Sequence, residues 1–527
     1  MGWGASTTQG KESPQLTLAQ ISGLFRGQLV PEGSFYDGLR RFGEEVVREE
    51  DFASLYTPGI GRPSLPPVFM CKVLLLEYHD GVSDREAEER ARYDLRWKWA
   101  LNLWLDQAGF DHSSLSRFRS RLVVKGKERL AFEAFLRMAQ DRGLVLPGGR
   151  SIVDSTAVLG AGAVVDTFQL IRHSIRKLRK RARRVAGLGA VLDGVLQRTD
   201  YMETKKAQID WEDQGAREAL LGEVVADARR AVEAVRNALG EDLAKATDVA
   251  EAVDLLDRVV GQDIQEDDGK VHLREGVAPD RVVSTTDPQM RHGHKTSSGK
   301  FNGSKAHVAI DEATELVTDV DVFAGNGADD TPVMGMVDRM EALQIKPAQL
   351  LGDHAYGHVE MHEQLAARQI EAVAPVAEGR GVRGLYGKDA FVIDLEKATC
   401  RCPAQQFGRP RYAKDGRLKA FVFGKSCSDC PLRVQCTTSA DGRVVNLHER
   451  EADLQRLRAK QKGEAFGALY RLRPKVERVI SHLKSHGARR SRYRSHKRRL
   501  VQLAFTAVVV NIEKWMALLK ARDVAIA

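Results

Sequence analysis

The chain has 527 residues, 43% of them apolar, which suits a soluble globular protein of two or more domains rather than a single small core. Its 81 Lys and Arg exceed its 72 Asp and Glu by +9, and the surplus is concentrated: residues 470–500 hold twelve basic residues and one acidic one, Glu477. Charge in blocks, here and in RKLRKRARR (176–184), points to a polyanionic partner, and with no apolar run near the ~18 residues of a membrane span the expected setting is the cytosol.

In chain order, residues 1–16 read as a flexible tail and 17–145 as a helical domain. Within it, GVSDREAEERA predicts a turn and then a helix capped by Ser83, with Glu86 three residues on. Two helices about that turn are either a helix-turn-helix or part of a plain bundle. DHSSLSRFRSRL (111–122) repeats the pattern of a cap and a basic helix, one able to lie along phosphates. RSIVD (150–154) reads as a short buried strand ending in a carboxylate. A mostly helical insertion is expected over 166–280, with no chemistry evident in it. Strands return at 305–311, 316–324, 349–353 and 371–377, with helices at 329–343 and 358–369. This is the order of a mixed α/β domain built from 146–165 and 281–385. A cysteine-rich insertion (386–447) and a C-terminal segment (448–527), helical from about 451 to 486 and then basic and apolar, complete the chain. LVQLAFTAVVVNI (500–512) is expected as a buried helix.

Two aspartates, Asp154 and Asp353, end apolar strand-like runs, where ligand sites of α/β sheets gather. Side by side, their charges call for hard cations such as Mg²⁺ or Mn²⁺. Tyr470, Arg473, Glu477 and Lys484, at offsets 0, 3, 7 and 14, fall on one helical face that sets a carboxylate between cations. Five of the six cysteines lie at 400, 402, 427, 430 and 436; any four suffice for a tetrahedral Zn²⁺ shell. Cys71, alone in an apolar helix, reads as a core residue.

The spacing Y-x2-R-x3-E-x6-K over Tyr470, Arg473, Glu477 and Lys484 resembles the signature around the catalytic glutamate of DDE transposases of bacterial insertion sequences. VDSTAV (153–158) and GDHAYG (352–357) look like the two aspartate motifs, and FNGSKAHVAID (301–311) like the strand between them. Residues 62–122 are similar to the family's helical N-terminal domain. CPLRVQCTTSADGR (430–443) and RRSRYRSHKRRLVQLAFTAVVVNI (489–512) are similar to its C-terminal part. Ala355 stands where the family usually has Gly, and Ser304 replaces a common Tyr; neither removes an acidic residue. The resemblance implies an RNase H-like catalytic domain with a helical DNA-binding N-terminal domain, a helical insertion and a zinc-binding insertion. It implies that Asp154, Asp353 and Glu477 hold two Mg²⁺ or Mn²⁺ ions for cleavage at transposon ends and strand transfer. The family's Cys-Pro pair falls on Cys402 and Pro403, so zinc is expected on Cys402, Cys427, Cys430 and Cys436, with Cys400 spare. Tyr470, Arg473, Lys484, Arg489, Arg490, Arg492, Arg494, Lys497, Arg498 and Arg499 are expected to bind DNA, and Tyr493 to stack on an unpaired base. The partners implied are the terminal repeats and target DNA, with a homodimer acting on two ends. The alternatives are an inactive, transposase-derived DNA-binding protein and a metal-dependent nuclease that does not join.

Overall fold

The computed structural model describes residues 30–57, 63–203, 206–295, 299–377, 379, 381 and 384–526, so the tail expected over 1–16 lies outside it. Six helices, Phe35–Arg41, Pro67–Asp80, Asp84–Tyr93, Leu95–Leu101, Ser113–Val124 and Leu130–Asp141, form the N-terminal region. The turn expected after residue 80 is made by Gly81 at φ +72°, followed by Ser83, whose hydroxyl accepts the Glu86 N–H at 3.3 Å. Every residue from Pro67 to Tyr78 is buried, so this helix is a core element, apolar on all sides.

Strand β1 (Arg150–Leu159) comes next, then the helical insertion (Thr167–Ala182, Leu188–Val195, Gln214–Leu239, Thr247–Asp263), which ends in a hairpin of β2 (Ile264–Asp267) and β3 (Lys270–Leu273). Strands β4 (Arg291–His294), β5 (Lys300–Asp311), β6 (Val317–Ala324), β7 (Gln349–Leu351) and β8 (Glu371–Val373) complete the main sheet. Its order is β6-β5-β1-β7-β8, with β4 paired to the start of β5. Pairing is antiparallel from β6 to β1 and parallel from β1 to β8. Helices Val333–Ala342 and Val359–Ala367 make the crossovers that parallel neighbours require. Three antiparallel strands followed by two parallel ones, beside a helical N-terminal region, are consistent with an RNase H-like core.

Two expectations change. β1 runs five residues beyond Asp154, because VDSTAVL stays paired with β5 as far as Leu159–Gly303; Asp154 is therefore inside the strand. The single helical stretch expected over 451–486 is three helices, Glu451–Gln461, Glu464–Tyr470 and Pro474–Leu483, followed by a π-turn, Lys484–Ala488. Pro474 has no N–H to give the Tyr470 carbonyl, so it starts a new helix.

The C-terminal helix, His496–Ile526, joins the N-terminal helices to the sheet in one continuous core. By length and composition it could cross a membrane, yet 78% of its apolar window is buried inside the protein. Asn511 on this helix accepts the Val317 N–H at 2.7 Å and donates to the Val317 carbonyl at 2.9 Å, clamping the start of β6. The insertion has its own apolar core, and the cysteine-rich segment a third, smaller one.

Candidate active site

The parallel register pairs Ile152 of β1 with Leu351 of β7. Asp154 and Asp353 each follow their member of that pair by two residues, so adjacent parallel strands deliver the two carboxylates at the same level. β7 stops at Leu351 and the chain turns through Gly352, where an added Cβ would lie 2.7 Å from the Tyr356 ring. Only glycine allows that turn over the packed tyrosine. Each aspartate fixes one oxygen on the backbone: Asp154 Oδ1 accepts the Ser155 N–H and Asp353 Oδ1 the Ala355 N–H, both at 2.8 Å. The other oxygen of each remains for a shared partner.

That partner is Arg473, at the junction formed by Pro474. Its Nη2 lies 3.3 Å from Asp154 Oδ2 and 3.7 Å from Asp353 Oδ2, and its Nη1 is 2.7 Å from Glu477 Oε1. One guanidinium thus gathers all three acids expected from the sequence. Side-chain exposure rises from 10% at Asp154 to 35% at Asp353 and 53% at Glu477, so the site opens on the glutamate side. Burial pushes the Asp154 carboxyl up, opposed first by Lys295 and then by Arg473. Burial works to lower Arg473, but the three carboxylates outweigh it and raise it. Lys484 is lowered by burial and by Lys295 and Arg489. Lys295, directly after β4, is an isolated lysine with no local signal in the sequence; its charge acts on Asp154 in the folded chain. Tyr356 is likewise new; its hydroxyl is buried without a hydrogen-bond partner, and Asp154 is the strongest influence among its charged neighbours.

Three carboxylates, two of them buried or half-buried, with no sulfur or imidazole among them, form a donor set for hard divalent cations. The arginine guanidinium stands in the position of that positive charge. A scan of known protein families matches residues 25–121 to a domain described as Transposase domain (DUF772), and residues 401–516 to one described as Transposase DDE domain. Two stretches of the chain are thus similar to transposase domain families, the second of the DDE type. A search of the curated proteins gives no match. The second match includes Glu477, four of the five clustered cysteines and the basic segment; Asp154 and Asp353 lie between the two matches. DNA cleavage in transposition is the general activity of this family.

The basic segment is stitched to the strand that carries Asp154: Leu159 N–H donates to the Arg489 carbonyl at 2.9 Å, and Ser491 N–H to the Leu159 carbonyl at 2.8 Å. Arg489, Arg490, Arg494 and Lys497 are exposed. Arg492 is exposed in part, but its guanidinium bonds Glu77 Oε1 at 2.8 Å and the Val82 carbonyl at 2.6 Å. Arg499 departs from the phosphate-binding role expected of the tail: it is buried, paired with Asp287 and bonded to Ser304 Oγ at 2.7 Å. Tyr493 packs inward, its hydroxyl 3.2 Å from that of Tyr78 and its ring under Arg119. Arg119, in the helix read as phosphate-facing, is itself buried on Glu77 and Asp84. Periodicity assigns these residues to a helix or a tail; it does not separate the cations that face inward from those that face out.

Cys402, Cys427, Cys430 and Cys436 line one small cavity, and Cys400 is not among its walls. The Arg443 N–H points at Cys427 Sγ, 3.4 Å away. Among the described residues, the acid, histidine and cysteine groups whose ligand atoms all lie within 4.8 Å of one another are His482–His486–Glu513 and Glu88–Asp111–His112. The cysteines and the acidic triad are more widely spaced. Burial pushes the Cys400 thiol up to about 11, and Cys71 is a buried core thiol.

Proposed function

We propose that this chain is an active transposase that cuts DNA at the ends of its element and joins those ends to target DNA. The observation that carries the reading is the convergence of Asp154, Asp353 and Glu477 on Arg473. The three carboxylates would hold two Mg²⁺ or Mn²⁺ ions. When bound, such ions supply an activated water or 3′-hydroxyl and stabilise the leaving oxygen of an in-line displacement at phosphorus.

The chain's own residues do the rest. Backbone bonds to Ser155 and Ala355 hold the aspartates in place before substrate arrives. Arg473, released from the carboxylates, turns to the scissile phosphate, for which a forked guanidinium is the matching donor. Lys484 and Lys295 add positive charge beside Asp154, and Tyr470 orders the DNA end at the edge of the site. Arg489, Arg490, Arg494 and Lys497 track the phosphate backbone next to β1, giving affinity and salt dependence rather than sequence reading. Zinc on Cys402, Cys427, Cys430 and Cys436 would be structural, because a closed thiolate shell leaves no place for substrate. Double-stranded DNA carrying the terminal repeats is the substrate, and a homodimer brings two ends together.

The test is cleavage and strand transfer on DNA bearing the element's ends with Mg²⁺ or Mn²⁺. Asp154→Asn, Asp353→Asn and Glu477→Gln should each reduce both steps by about 100-fold or more while leaving DNA binding intact. A wild-type protein that binds the ends but neither cuts nor joins them sinks the reading; one that cuts without joining reduces it to a nuclease.

A further inference from the structure

Away from the acidic triad, three histidines close on one carboxylate where distant parts of the chain meet. His79 is near the end of the Pro67–Asp80 helix; His482 is in the Pro474–Leu483 helix, His486 in the π-turn after it, and Glu513 in the C-terminal helix. The Nε2 atoms of His482 and His486 lie 2.8 and 3.3 Å from Glu513 Oε2, and that of His79 lies 3.3 Å from Oε1. The ligand atoms of His482, His486 and Glu513 all lie within 4.8 Å of one another, close enough to share one ion; His79 is outside that group.

The far sides of two rings are already committed. His79 Nδ1 is 2.6 Å from Asp80 Oδ1, and Asp80 Oδ2 is held by Arg90 at 2.7 Å and Trp97 at 2.8 Å. His486 Nδ1 is 3.3 Å from the His79 carbonyl. These acceptors fix the Nδ1 side of each ring and leave Nε2 on the side of Glu513. Outer-sphere bonds of this kind are what orient and tune metal-ligating histidines. Among the described residues, the ion pairs of Glu513 are with these three histidines alone.

We infer that His482, His486 and Glu513 bind one divalent transition-metal ion, Zn²⁺ by the chemistry of an imidazole-rich ligand set. The site joins the helix bearing Glu477, and the turn after it, to the C-terminal helix. It is independent of both the cysteine cavity and the acidic triad, and stands whether or not the chain transposes DNA.

The full-length protein, stripped with chelator, is titrated with Co²⁺ and followed by absorption and calorimetry. Thiolate-to-cobalt charge transfer marks any ion on the cysteines, so an ion on imidazole and carboxylate is read as an equivalent without that band. His482, whose side chain is 45% exposed, can be removed without opening the core. His482→Ala and Glu513→Gln should weaken the band-free equivalent at least ~10-fold, and Asp154→Asn should leave it unchanged. The inference is overturned if wild type takes up no such equivalent, if His482→Ala and Glu513→Gln bind it as wild type does, or if it disappears in Asp154→Asn.

Discussion

Arg473 sets one positive charge among three carboxylates, and this creates a competition. Two unit charges about 4 Å apart interact by about 4 kcal/mol at an effective dielectric of ~20, so the acids keep a cation among them, guanidinium or metal. Arg473→Gln should therefore raise the Mn²⁺ affinity of the DNA-free protein about tenfold, read by calorimetry, while DNA cleavage falls. An affinity unchanged or weakened would mean that the arginine does not compete for the site. A second residue acts through protons. His307 pairs with Ser155 across β5 and β1, is fully buried, and has no hydrogen-bond partner for either ring nitrogen. Burial pushes its imidazole down from 6.5 to about 4, with Asp319 and Asp321 opposing. A folded-state value below the unfolded one means stability intact above pH 6.5 and draining as pH falls toward 4, by about 3 kcal/mol over that window. His307→Leu should flatten the acid limb of melting temperature against pH and change little at pH 7. Equal acid limbs in variant and wild type would assign the proton uptake elsewhere.

At the scale of elements, the Asn511 clamp couples a helix to a strand. Asn511→Leu strands the buried N–H and C=O of Val317 and should cost about 2–4 kcal/mol, seen as a lower denaturant midpoint with an unchanged slope. No loss would mean that other groups satisfy Val317. The same comparison shows what local sequence can report. Ser83 and Glu86 define a helix start because capping is settled within four residues. Strand-end aspartates could be recognised because apolar runs announce β1 and β7, but the true end of β1 could not, since pairing with β5 decides it. The spacing of Tyr470, Arg473, Glu477 and Lys484 is legible and reads as one continuous helix; Pro474 breaks it while leaving Arg473 aimed at the acids. Lys295, Tyr356 and the partners of Glu513 carry no such signal, because long-range packing alone assembles them.

For the whole molecule, separate cores predict separable parts. The insertion enters and leaves at one point: Thr167 Oγ1 donates to Asp263 Oδ2 at 2.8 Å, and Arg281 Nη2 donates to Thr167 Oγ1 at 3.1 Å. Its apolar core runs from Phe168 to Val282 and is distinct from the main one. Residues 166–282 expressed alone should unfold cooperatively on heating, and the rest, closed by a short Gly/Ser linker, should keep its near-UV circular dichroism. Loss of tertiary signal in both pieces would show that the two cores stabilise each other.

The C-terminal helix has a consequence in time. The N-terminal helices and the sheet share one core that this helix completes, and Arg473 and Asp154 stand 319 positions apart. At ~5–20 residues per second, a ribosome needs roughly 16–64 s to travel from the first aspartate to the arginine that gathers the acids, and more to make the C-terminal helix. Throughout that interval the three acids have no arginine to gather them. On the proposed function, competence to cut DNA therefore waits until the residues around 473 have been made.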